Sequence, residues 1–323
     1  MNKTINWGIL GPGKIAKKFA LGLTHVPNAN LYAAASRSLE KAKDYTEEMG
    51  ADKAYGSYTE MLNDPEVDAI YIATPHVFHH EHTLLCLKHK KAVLCEKPFA
   101  MNKNQVKEMI DFAQKQDTFL MEAMWTHFLP HFKYTTEVIK SGKYGKVLSM
   151  EADFGFDAPF DANSRIYNKS LGGGSLLDIG IYPIFAALSF LGKPEKIEAT
   201  AKMAKTEVDA RCHATFIYPE NVRAELYSFV DKNTDVAATI TLEKAKIYIK
   251  PRFHQPSSVV ITTENESFTR EFGVEANGYN FEAEHVGQML LEGKKESTEM
   301  TFEKSLELIE MLDAVREKIG LEY

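Results

Sequence analysis

Cysteine is scarce in this chain of 323 residues, and the few cysteines are not arranged for cross-linking. Cys86, Cys95 and Cys212 form no CxxC pair, and their odd number argues against a disulfide framework. Cys86 and Cys95 stand in apolar stretches, where a thiol behaves as a small buried hydrophobe. A disulfide-stapled secreted domain is therefore not expected, and the reducing cytoplasm is the predicted location.

Positive charge is also in short supply. The 38 lysines and arginines face 45 aspartates and glutamates, the net charge is -7, and no tract is rich in arginine. Nucleic acid and anionic membrane are therefore not expected as main partners. We find no apolar run near membrane-spanning length, and a strand that begins at Ile5 leaves no room for a signal-peptide hydrophobic region, so neither is expected.

The overall composition, 44% hydrophobic and 26% charged, is that of an ordinary globular protein, and the chain is too long for one typical core. The sequence pattern changes near residue 122. We therefore predict two domains, residues 1–121 and 122–323.

The first domain alternates apolar strands with helices. Strands are predicted at 5–10, 31–35, 68–73, 92–95 and 118–121, and helices at 14–24, 39–49, 79–89 and 103–115. Such alternation indicates βαβ units, so we predict an α/β fold with a parallel sheet.

The second domain has strands that follow one another directly. Helices at 131–141 and 175–191 flank a strand at 146–154, and further strands are predicted at 212–218, 223–229, 237–242, 246–249 and 259–263. This meander predicts an α+β domain with a large, mainly antiparallel open sheet. Helices at 281–291 and 303–318 follow, and we expect the last one, over 303–319, to pack back on the first domain.

The first strand leads into a glycine-rich turn, Gly11-Pro12-Gly13-Lys14-Ile15-Ala16, that matches G-x-G-x-x-G/A and opens a helix. Gly11 permits the tight turn, Gly13 lets the backbone approach a pyrophosphate, and the small Ala16 lets the helix meet the strand. The first helical turn, with Lys14 and Ile15, offers free amides to phosphates. Lys14 either reaches a phosphate or is a solvated lysine. Together with the alternation, this turn predicts a Rossmann dinucleotide site.

The ribose end of this site lacks the acid that usually binds a 2′-hydroxyl. The second strand ends in Ser36-Arg37-Ser38, and Lys41 follows one turn later. Arginine holds a 2′-phosphate by paired hydrogen bonds and stacks on adenine. One charge-assisted hydrogen bond is worth about 1.5–3 kcal/mol, so we predict that NADP(H) is preferred over NAD(H). The alternative is that Arg37 is only a surface residue.

Two further loops are expected in the same crevice, because ligands bind outside the carboxyl ends of parallel strands. Thr74-Pro75 ends the third strand, with His76 and His79 just beyond, and Glu96-Lys97-Pro98 ends the fourth. We expect the ammonium of Lys97 to point into the crevice. The histidines carry no CxxC or HExxH pattern, so histidines of a cofactor loop or of a solvated helix are favoured over a metal site.

Three glycines precede a second polar constellation. Gly172-Gly173-Gly174 allows close approach of the backbone to another surface, and Asp178 and Tyr182 are four residues apart, which places both on one helical face. Polar groups on an apolar helix are costly unless paired, and Lys97 is the predicted partner. The pKa of a tyrosine is ordinarily about 10, and a nearby ammonium lowers it toward that of a base for alcohol oxidation. The alternative is a structural hydrogen bond between the tyrosine and the aspartate.

These motifs resemble the glucose–fructose oxidoreductase / inositol dehydrogenase / MocA family over essentially the whole chain, including Gly278-Tyr279-Asn280-Phe281-Glu282. Many members have histidine where this chain has Tyr182. The tyrosine is similar to the branch that contains dimeric dihydrodiol dehydrogenase and NADP-dependent xylose dehydrogenase. The segments 92–98 and 119–126 and the pair Ser36-Arg37 also look like that branch.

The resemblance implies a nicotinamide cofactor without a metal, a Rossmann domain followed by an open-sheet domain, and a homodimer through the C-terminal sheet. It implies that Tyr182 is the acid/base, with Lys97 as its partner and Asp178 in support. The other residues expected near nicotinamide and substrate are His76, His79, Trp125, Phe154 and Arg165. Trp125 is also compatible with plain core packing.

The sequence thus predicts an NADP(H)-dependent oxidoreductase that moves a hydride between nicotinamide and the alcohol or carbonyl carbon of a sugar, polyol or trans-diol. One alternative is a non-catalytic regulator that senses NADP(H), which need not keep Lys97, Asp178 or Tyr182. Another is a reductase of a non-sugar substrate, since one fold carries many activities. The presence of all three residues favours the enzyme.

Overall fold

The computed structural model describes residues 3–323 of the chain. The chain divides into two compact units. The first comprises the residues through Trp125 together with Glu275–Leu306, and the second comprises Thr126–Val274 and Glu307–Tyr323.

Between residues 3 and 125, the first unit contains six strands and five α-helices. The strands are β1 Ile5–Leu10, β2 Ala29–Ala35, β3 Lys53–Tyr55, β4 Ala69–Ile72, β5 Ala92–Glu96 and β6 Leu120–Ala123. The helices are α1 Lys14–Leu23, α2 Leu39–Met49, α3 Tyr58–Leu62, α4 His79–Lys88 and α5 Lys103–Gln116. All strand pairs are parallel, in the order β3-β2-β1-β4-β5-β6. The predicted Rossmann parallel sheet is confirmed.

The middle of this sheet is buried on both faces. β4 and β5 are buried along their whole length, which is why their sequences are continuous apolar runs rather than alternating ones. Trp7 of β1 packs edge-on against Phe19 of α1, and Phe19 stacks on Tyr71 of β4 with 3.8 Å between ring centroids. This core holds the carboxyl ends of β1, β4 and β5 side by side.

Between residues 126 and 274, the second unit contains eight strands and two α-helices. The strands are β7 Val147–Gly155, β8 Lys196–Met203, β9 Asp209–Ile217, β10 Arg223–Phe229, β11 Ala238–Leu242, β12 Lys246–Ile249, β13 Val259–Thr262 and β14 Ser267–Arg270. The helices are α6 Pro130–Lys140 and α7 Ile181–Leu191. In the order β14-β13-β12-β11-β7-β10-β9-β8, every neighbouring pair is antiparallel except β7 with β10. The predicted large, mainly antiparallel sheet is confirmed.

The segment Lys169–Leu191, which ends in α7, is apolar enough by length and composition to cross a membrane, with a mean hydropathy of 1.6. This corrects the expectation that no segment approaches that length. However, 78% of its most apolar window is buried inside the structure, and α7 packs on β7 and β10. Burial of this kind is typical of a core helix, so the composition alone is weak evidence for a membrane span.

The chain returns to the first unit after the antiparallel sheet. α8 Tyr279–Leu291 belongs to the first unit, whereas most of α9 Phe302–Lys318 belongs to the second. This division differs from the predicted one, in which everything beyond residue 121 belongs to the second domain and the last helix returns to the first. Asn277, just before α8, donates its side-chain amide to the carbonyl of Lys18 at 2.7 Å, which ties this segment to α1. In the second unit, Lys193 forms an ion pair with Glu310 of α9 at 2.8 Å.

Four elements, β3, α3, β8 and β14, were not predicted. β8 contains 8 residues, none of which is buried, so it carries no buried apolar face. The other three, β3, α3 and β14, contain 3, 5 and 4 residues, respectively. Runs this short show no hydrophobic period, and partners elsewhere in the sheet determine that they form.

Candidate active site

The glycine turn joins β1 to α1 at the carboxyl edge of the parallel sheet. Gly11 has a φ of +90°, and a Cβ there would lie 2.6 Å from Cγ2 of Thr74, so only glycine fits. Gly13 is the N-cap of α1 and provides no side-chain cap to the amides of the first turn. A Cβ on Gly13 would have the carbonyl oxygen of Gly11 as its nearest neighbour, at 4.0 Å. Uncapped amides beside open space fit a pyrophosphate. The next residues of the motif are the exposed Lys14, the half-buried Ile15 and the fully buried Ala16.

The predicted ribose loop follows β2. Its two serines bond local backbone, since Ser38 accepts from the N–H of Lys41 at 3.4 Å and Ser36 accepts from the N–H of Ser38 at 3.3 Å. Arg37 and Lys41 are exposed. Burial and, to a smaller extent, the charge of Arg37 lower the pKa of His82, which identifies His82 as a neighbour of this loop.

His79 connects the loops that follow β4 and β5. Its ring is 1% exposed, with Nε2 at 2.8 Å from the carbonyl oxygen of Thr74 and Nδ1 at 2.8 Å from that of Pro98. Burial lowers the pKa of His79 to about 3, so the ring is neutral and the two oxygens compete for its single N–H. His76 is buried beside it, with 6.4 Å between ring centroids. Both histidines therefore pack among these loops: His76 follows the half-buried Pro75, and His79 is the first residue of α4. Within residues 3–323 no group of three His, Cys, Asp or Glu side chains is placed to hold a metal.

Buried carboxyl groups hold the turn that carries Lys97. The backbone N–H of Lys97 donates to Oε2 of Glu96 at 3.2 Å, and the N–H of Phe99 donates to Oε1 of Glu122 at 3.0 Å. The hydroxyl of Tyr71 donates to the other oxygen of Glu96. Lys97 is half-buried and directly follows β5, where the sequence placed it. Glu96 thus supports the turn, and its contact with a cofactor stays a prediction.

Two acids of the first unit lie in surroundings that disfavour their charge. Burial raises the pKa of Glu122 to about 7. Glu282 of α8 is fully buried, and neither of its carboxyl oxygens has a hydrogen-bond partner within residues 3–323. Burial, together with the negative charge of Glu96, raises the pKa of Glu282 well above its usual value. The neutral, protonated form of Glu282 is therefore favoured relative to an exposed glutamate.

Tyr182 lies in the first turn of α7, in the second unit. Its ring centroid is 5.5 Å from that of Phe154 on β7 and 5.0 Å from that of His254 in the loop after β12. Phe154 and His254 are 4.3 Å apart by the same measure. The structure thus brings together two residues that the sequence predicted, Tyr182 and Phe154, and adds His254, which the sequence analysis missed.

Asp178 lies in a π-helical turn, Leu176–Gly180, that leads into α7. The regular helix predicted over 175–191 therefore begins with a wider turn. Oδ2 of Asp178 accepts from Nη2 of Arg165 at 2.8 Å, which joins two predicted substrate residues. Tyr182 and Lys97 belong to different units, and their pairing stays a prediction.

Trp125 is packed as a core residue of the first unit. It is 4% exposed and stacks on Tyr279, with 4.3 Å between ring centroids and 8° between ring planes. Tyr279 opens α8 after the N-cap Gly278, within the run that supported the family resemblance. The observed packing agrees with the core alternative, and a substrate role for Trp125 stays a prediction.

Comparison with protein families gives two consecutive matches. Residues 5–124 match the oxidoreductase family with an NAD-binding Rossmann fold, GFO_IDH_MocA, and residues 132–248 match the GFO/IDH/MocA C-terminal domain. The chain belongs to the Gfo/Idh/MocA family. The resemblance drawn from the motifs is confirmed.

Relatives of this Gfo/Idh/MocA protein match it over almost its full length. The trans-1,2-dihydrobenzene-1,2-diol dehydrogenase of Xenopus laevis is 36% identical, with 98% of each chain covered. The enzyme of that name from Homo sapiens is 32% identical, with 99% of this chain and 98% of the relative covered. Among solved structures, a 3-ketoreductase from Actinomadura kijaniata in complex with NADP has a TM-score of 0.85 at 25% identity, with 98% of each chain covered. An aldose–aldose oxidoreductase from Caulobacter crescentus shares the fold, with a TM-score of 0.89 at 24% identity over 98% of each chain.

Family and relatives together establish the broad activity. The protein is an enzyme, an NAD(P)-dependent oxidoreductase, and its relatives act on small molecules. The predicted enzyme class is therefore confirmed, and the non-catalytic alternative is set aside.

Three residues that shape these sites were not predicted from the sequence. His254 stands in a loop between Pro251 and Pro256, and nothing in that loop indicates that it meets α7. Glu122 gave a usable signal, because an acid within a buried strand requires a partner. Asp209 gave no such signal, because the predicted strand began at residue 212, after it.

Proposed function

We propose that this oxidoreductase moves a hydride between NADP(H) and the alcohol or carbonyl carbon of a cyclic trans-diol, sugar or polyol. The observation that carries the proposal is the cluster in the second unit, where Tyr182 stands with Phe154 and His254. The ion pair of Asp178 with Arg165 lies one helical turn earlier. Aromatic faces pack against the C–H surface of a ring, and charged groups hydrogen-bond its hydroxyls.

The names of the relatives support this substrate class. Those at 32–36% identity are dehydrogenases of a cyclic diol, trans-1,2-dihydrobenzene-1,2-diol. The ketoreductase of Actinomadura kijaniata was crystallised with TDP-benzene and NADP, also as a variant with one lysine replaced by alanine and as a variant with one tyrosine replaced by phenylalanine. A lysine and a tyrosine are the residue types that we place in the reaction.

The glycine turn of the first unit fits the dinucleotide. Gly11 keeps the turn tight, and the uncapped amides that follow Gly13 offer hydrogen bonds and the positive end of a helix dipole to the pyrophosphate. The bound nicotinamide supplies or accepts the hydride. The loops at Thr74 and Pro98, joined through His79, form the neighbouring part of the cofactor site.

The preference for NADP(H) rests on the ribose loop. Arg37 is exposed there, both neighbouring serines bond local backbone, and no acid stands where a 2′-hydroxyl would be bound. A guanidinium is the group best suited to a 2′-phosphate. The structural neighbour solved with NADP agrees with this inference.

In this proposal Tyr182 exchanges the proton of the reacting hydroxyl. Lys97 stabilises the ionised phenol by its positive charge. Asp178, oriented by Arg165, binds a hydroxyl of the substrate. General acid–base catalysis of this kind contributes about 10²–10⁴-fold to the rate.

We further propose that two chains pair through the sheet of the second unit. On β9 and β10, Tyr227 stacks on His213 with 4.4 Å between ring centroids, and Phe229 lies 6.2 Å from Tyr227. All three are half-buried in the single chain. Part-exposed aromatic groups are enriched in protein interfaces. The cytoplasm stays the predicted location, and the three cysteines are free and buried.

The deciding experiment is a turnover screen of trans-diols, pentoses and hexoses with NADP⁺, followed by NADPH absorbance. Tyr182→Phe should then lose about 10²-fold or more in kcat while NADPH binds with almost unchanged affinity. Tyr218→Phe is the matched control, because the hydroxyl of Tyr218 is buried and makes no hydrogen bond within residues 3–323.

Two outcomes would contradict the proposal. Equal turnover in Tyr182→Phe would remove this phenol from the reaction. Similar losses of kcat in Tyr182→Phe and Tyr218→Phe would show that the Tyr182 hydroxyl acts through folding rather than through proton transfer. Lys97→Ala should change the pH profile of kcat, whereas Lys97→Arg, which keeps the charge, should change it less.

A further inference from the structure

A carboxyl group from β9 holds the start of the π-helical turn. Asp209, the first residue of β9, is fully buried. Its Oδ2 accepts from the backbone N–H of Leu176 at 2.7 Å and from the hydroxyl of Ser175 at 2.7 Å. These two donors lie three and two residues before Asp178, so the carboxyl group holds the point at which the segment bearing Asp178 and Tyr182 begins.

The glycine loop is shaped to admit this carboxyl group. Gly174 has a φ of +119°, and a Cβ there would overlap Oδ1 of Asp209. That oxygen makes no hydrogen bond to any of residues 3–323. On the preceding residue, the carbonyl of Gly173 accepts from the hydroxyl of Tyr323 at 2.7 Å. The space beside Gly174 is therefore filled by the carboxyl group of Asp209.

β10 approaches the turn at both ends. The hydroxyl of Ser175, just before the turn, lies 2.8 Å from that of Ser228, and a Cβ on Gly180 would lie 2.9 Å from Oγ of Ser228. The turn Leu176–Gly180 is thus held at its start by hydrogen bonds to β9 and β10, and its last residue packs closely against β10.

The register of this turn decides where Asp178 points relative to Tyr182. A π-helical turn holds about one more residue than an α-helical turn, whose residues each advance about 100° around the axis. If the turn relaxed to the α form with α7 in place, the direction of Asp178 would change by up to about 100°. Its bond to Arg165 at 2.8 Å depends on the observed direction.

We propose that Asp209 is a positioning residue for the reaction, which keeps the turn Leu176–Gly180 in its π form and so sets Asp178 and Tyr182 at the substrate. The inference rests on the proposed function. It adds a residue that makes no predicted contact with substrate or cofactor. It also assigns a purpose to Gly174, which leaves room for the carboxyl group.

The test compares Asp209→Ala with Asp209→Asn. Alanine removes the acceptor, and kcat should fall about 10- to 100-fold, as for small misplacements of reacting groups. NADPH affinity should stay within about twofold of the wild-type value, because a misplaced Asp178 or Tyr182 affects the reaction and not the binding of the dinucleotide. Asparagine keeps an oxygen for Leu176 and Ser175, so kcat should recover to within about threefold of the wild type.

A matched control is Asp64→Ala in the first unit. Asp64 is also buried and also accepts a backbone N–H, from Glu66 at 2.9 Å. Its loss should lower stability without a selective loss of kcat. If Asp209→Ala does not fold, Ser175→Ala, which removes one of the two donors, is the second variant, and its kcat should fall at least about threefold.

Amide hydrogen exchange over residues 174–182 provides a readout that does not need turnover. Asp209→Ala should speed exchange in this segment, and Asp209→Asn should not. Faster exchange with wild-type kcat would overturn the positioning role, as would wild-type kcat in both Asp209→Ala and Ser175→Ala. Absence of turnover in the wild type with every substrate would instead count against the proposed function, while the exchange data still decide whether Asp209 holds the turn.

Discussion

Replacing Gly13 by alanine tests whether this glycine is required for cofactor binding or for folding. Gly13 has φ −133° and ψ −166°, an extended conformation that alanine adopts without strain, and a Cβ there meets no closer atom than the oxygen of Gly11 at 4.0 Å. Alanine should therefore leave stability unchanged or raise it by up to about 1 kcal/mol, because it reduces the entropy of the unfolded chain. The added methyl group would occupy the space predicted for pyrophosphate. Loss of one charge-assisted hydrogen bond, about 1.5–3 kcal/mol, would weaken NADPH binding by about ten- to a hundredfold.

Two other glycines calibrate this result. Gly50, at the end of α2, has a φ of +75° and open space around a Cβ, so alanine there should lower stability by about 1 kcal/mol through backbone strain alone. NADPH affinity should not change. Gly11 combines a φ of +90° with a Cβ at 2.6 Å from Thr74, so alanine there should lower both stability and NADPH affinity.

Thermal unfolding without cofactor and fluorescence titration with NADPH measure the two effects separately. A loss of about 1 kcal/mol shifts the Tm by about 2–4 °C in a chain of this size class. If Gly13→Ala binds NADPH as tightly as the wild type, the pyrophosphate does not approach this position. If it unfolds at a clearly lower temperature without cofactor, the glycine serves the fold.

Three further predictions concern other parts of the molecule. Arg37→Ala should weaken NADPH binding by about ten- to a hundredfold and leave NADH binding unchanged, and equal losses for both cofactors in fluorescence titrations would contradict a 2′-phosphate contact. Burial raises the pKa of Glu122 to about 7, so the wild type should lose up to about 3 kcal/mol of unfolding free energy as pH rises from about 4.5 to 7. Glu122→Gln, which still accepts a hydrogen bond from the N–H of Phe99, should lack that loss when stability is measured by urea unfolding. If the stabilities of the variant and the wild type change equally with pH, Glu122 is not the titrating group. Tyr227→Arg should convert a dimer to a monomer in light scattering, and an unchanged mass would exclude this face as the interface.

Local sequence patterns predicted most of the fold. The helix over 39–49 and the strands at 5–10 and 223–229 were predicted at their observed bounds, because each carries its own hydrophobic period and clear end signals. The return of α8 to the first unit was not predictable in this way. It depends on contacts such as that of Asn277 with Lys18, which join residues far apart in the chain.

The same distinction applies to the candidate site. Short local motifs identify Gly11, Gly13 and Lys97. His254, in contrast, contacts Tyr182 only because the antiparallel sheet folds its loop toward α7. The π-helical turn was likewise hidden. The spacing of Asp178 and Tyr182 fits a regular helix. The wider turn depends on hydrogen bonds to Asp209, which lies about 30 residues further along the sequence, on β9.

Two buried acids, Glu122 and Glu282, lower the stability of the first unit. Burial raises the pKa of both Glu122 and Glu282. Ionisation of either carboxyl group therefore lowers the stability of the folded protein. Apolar residues at such positions are often at least as stabilising. However, Glu122 accepts the N–H of Phe99, and Glu282 lies within the electrostatic influence of Glu96, which accepts the N–H of Lys97. The unfavourable burial is therefore concentrated around one turn, and that turn carries the lysine for which we propose a role in proton transfer.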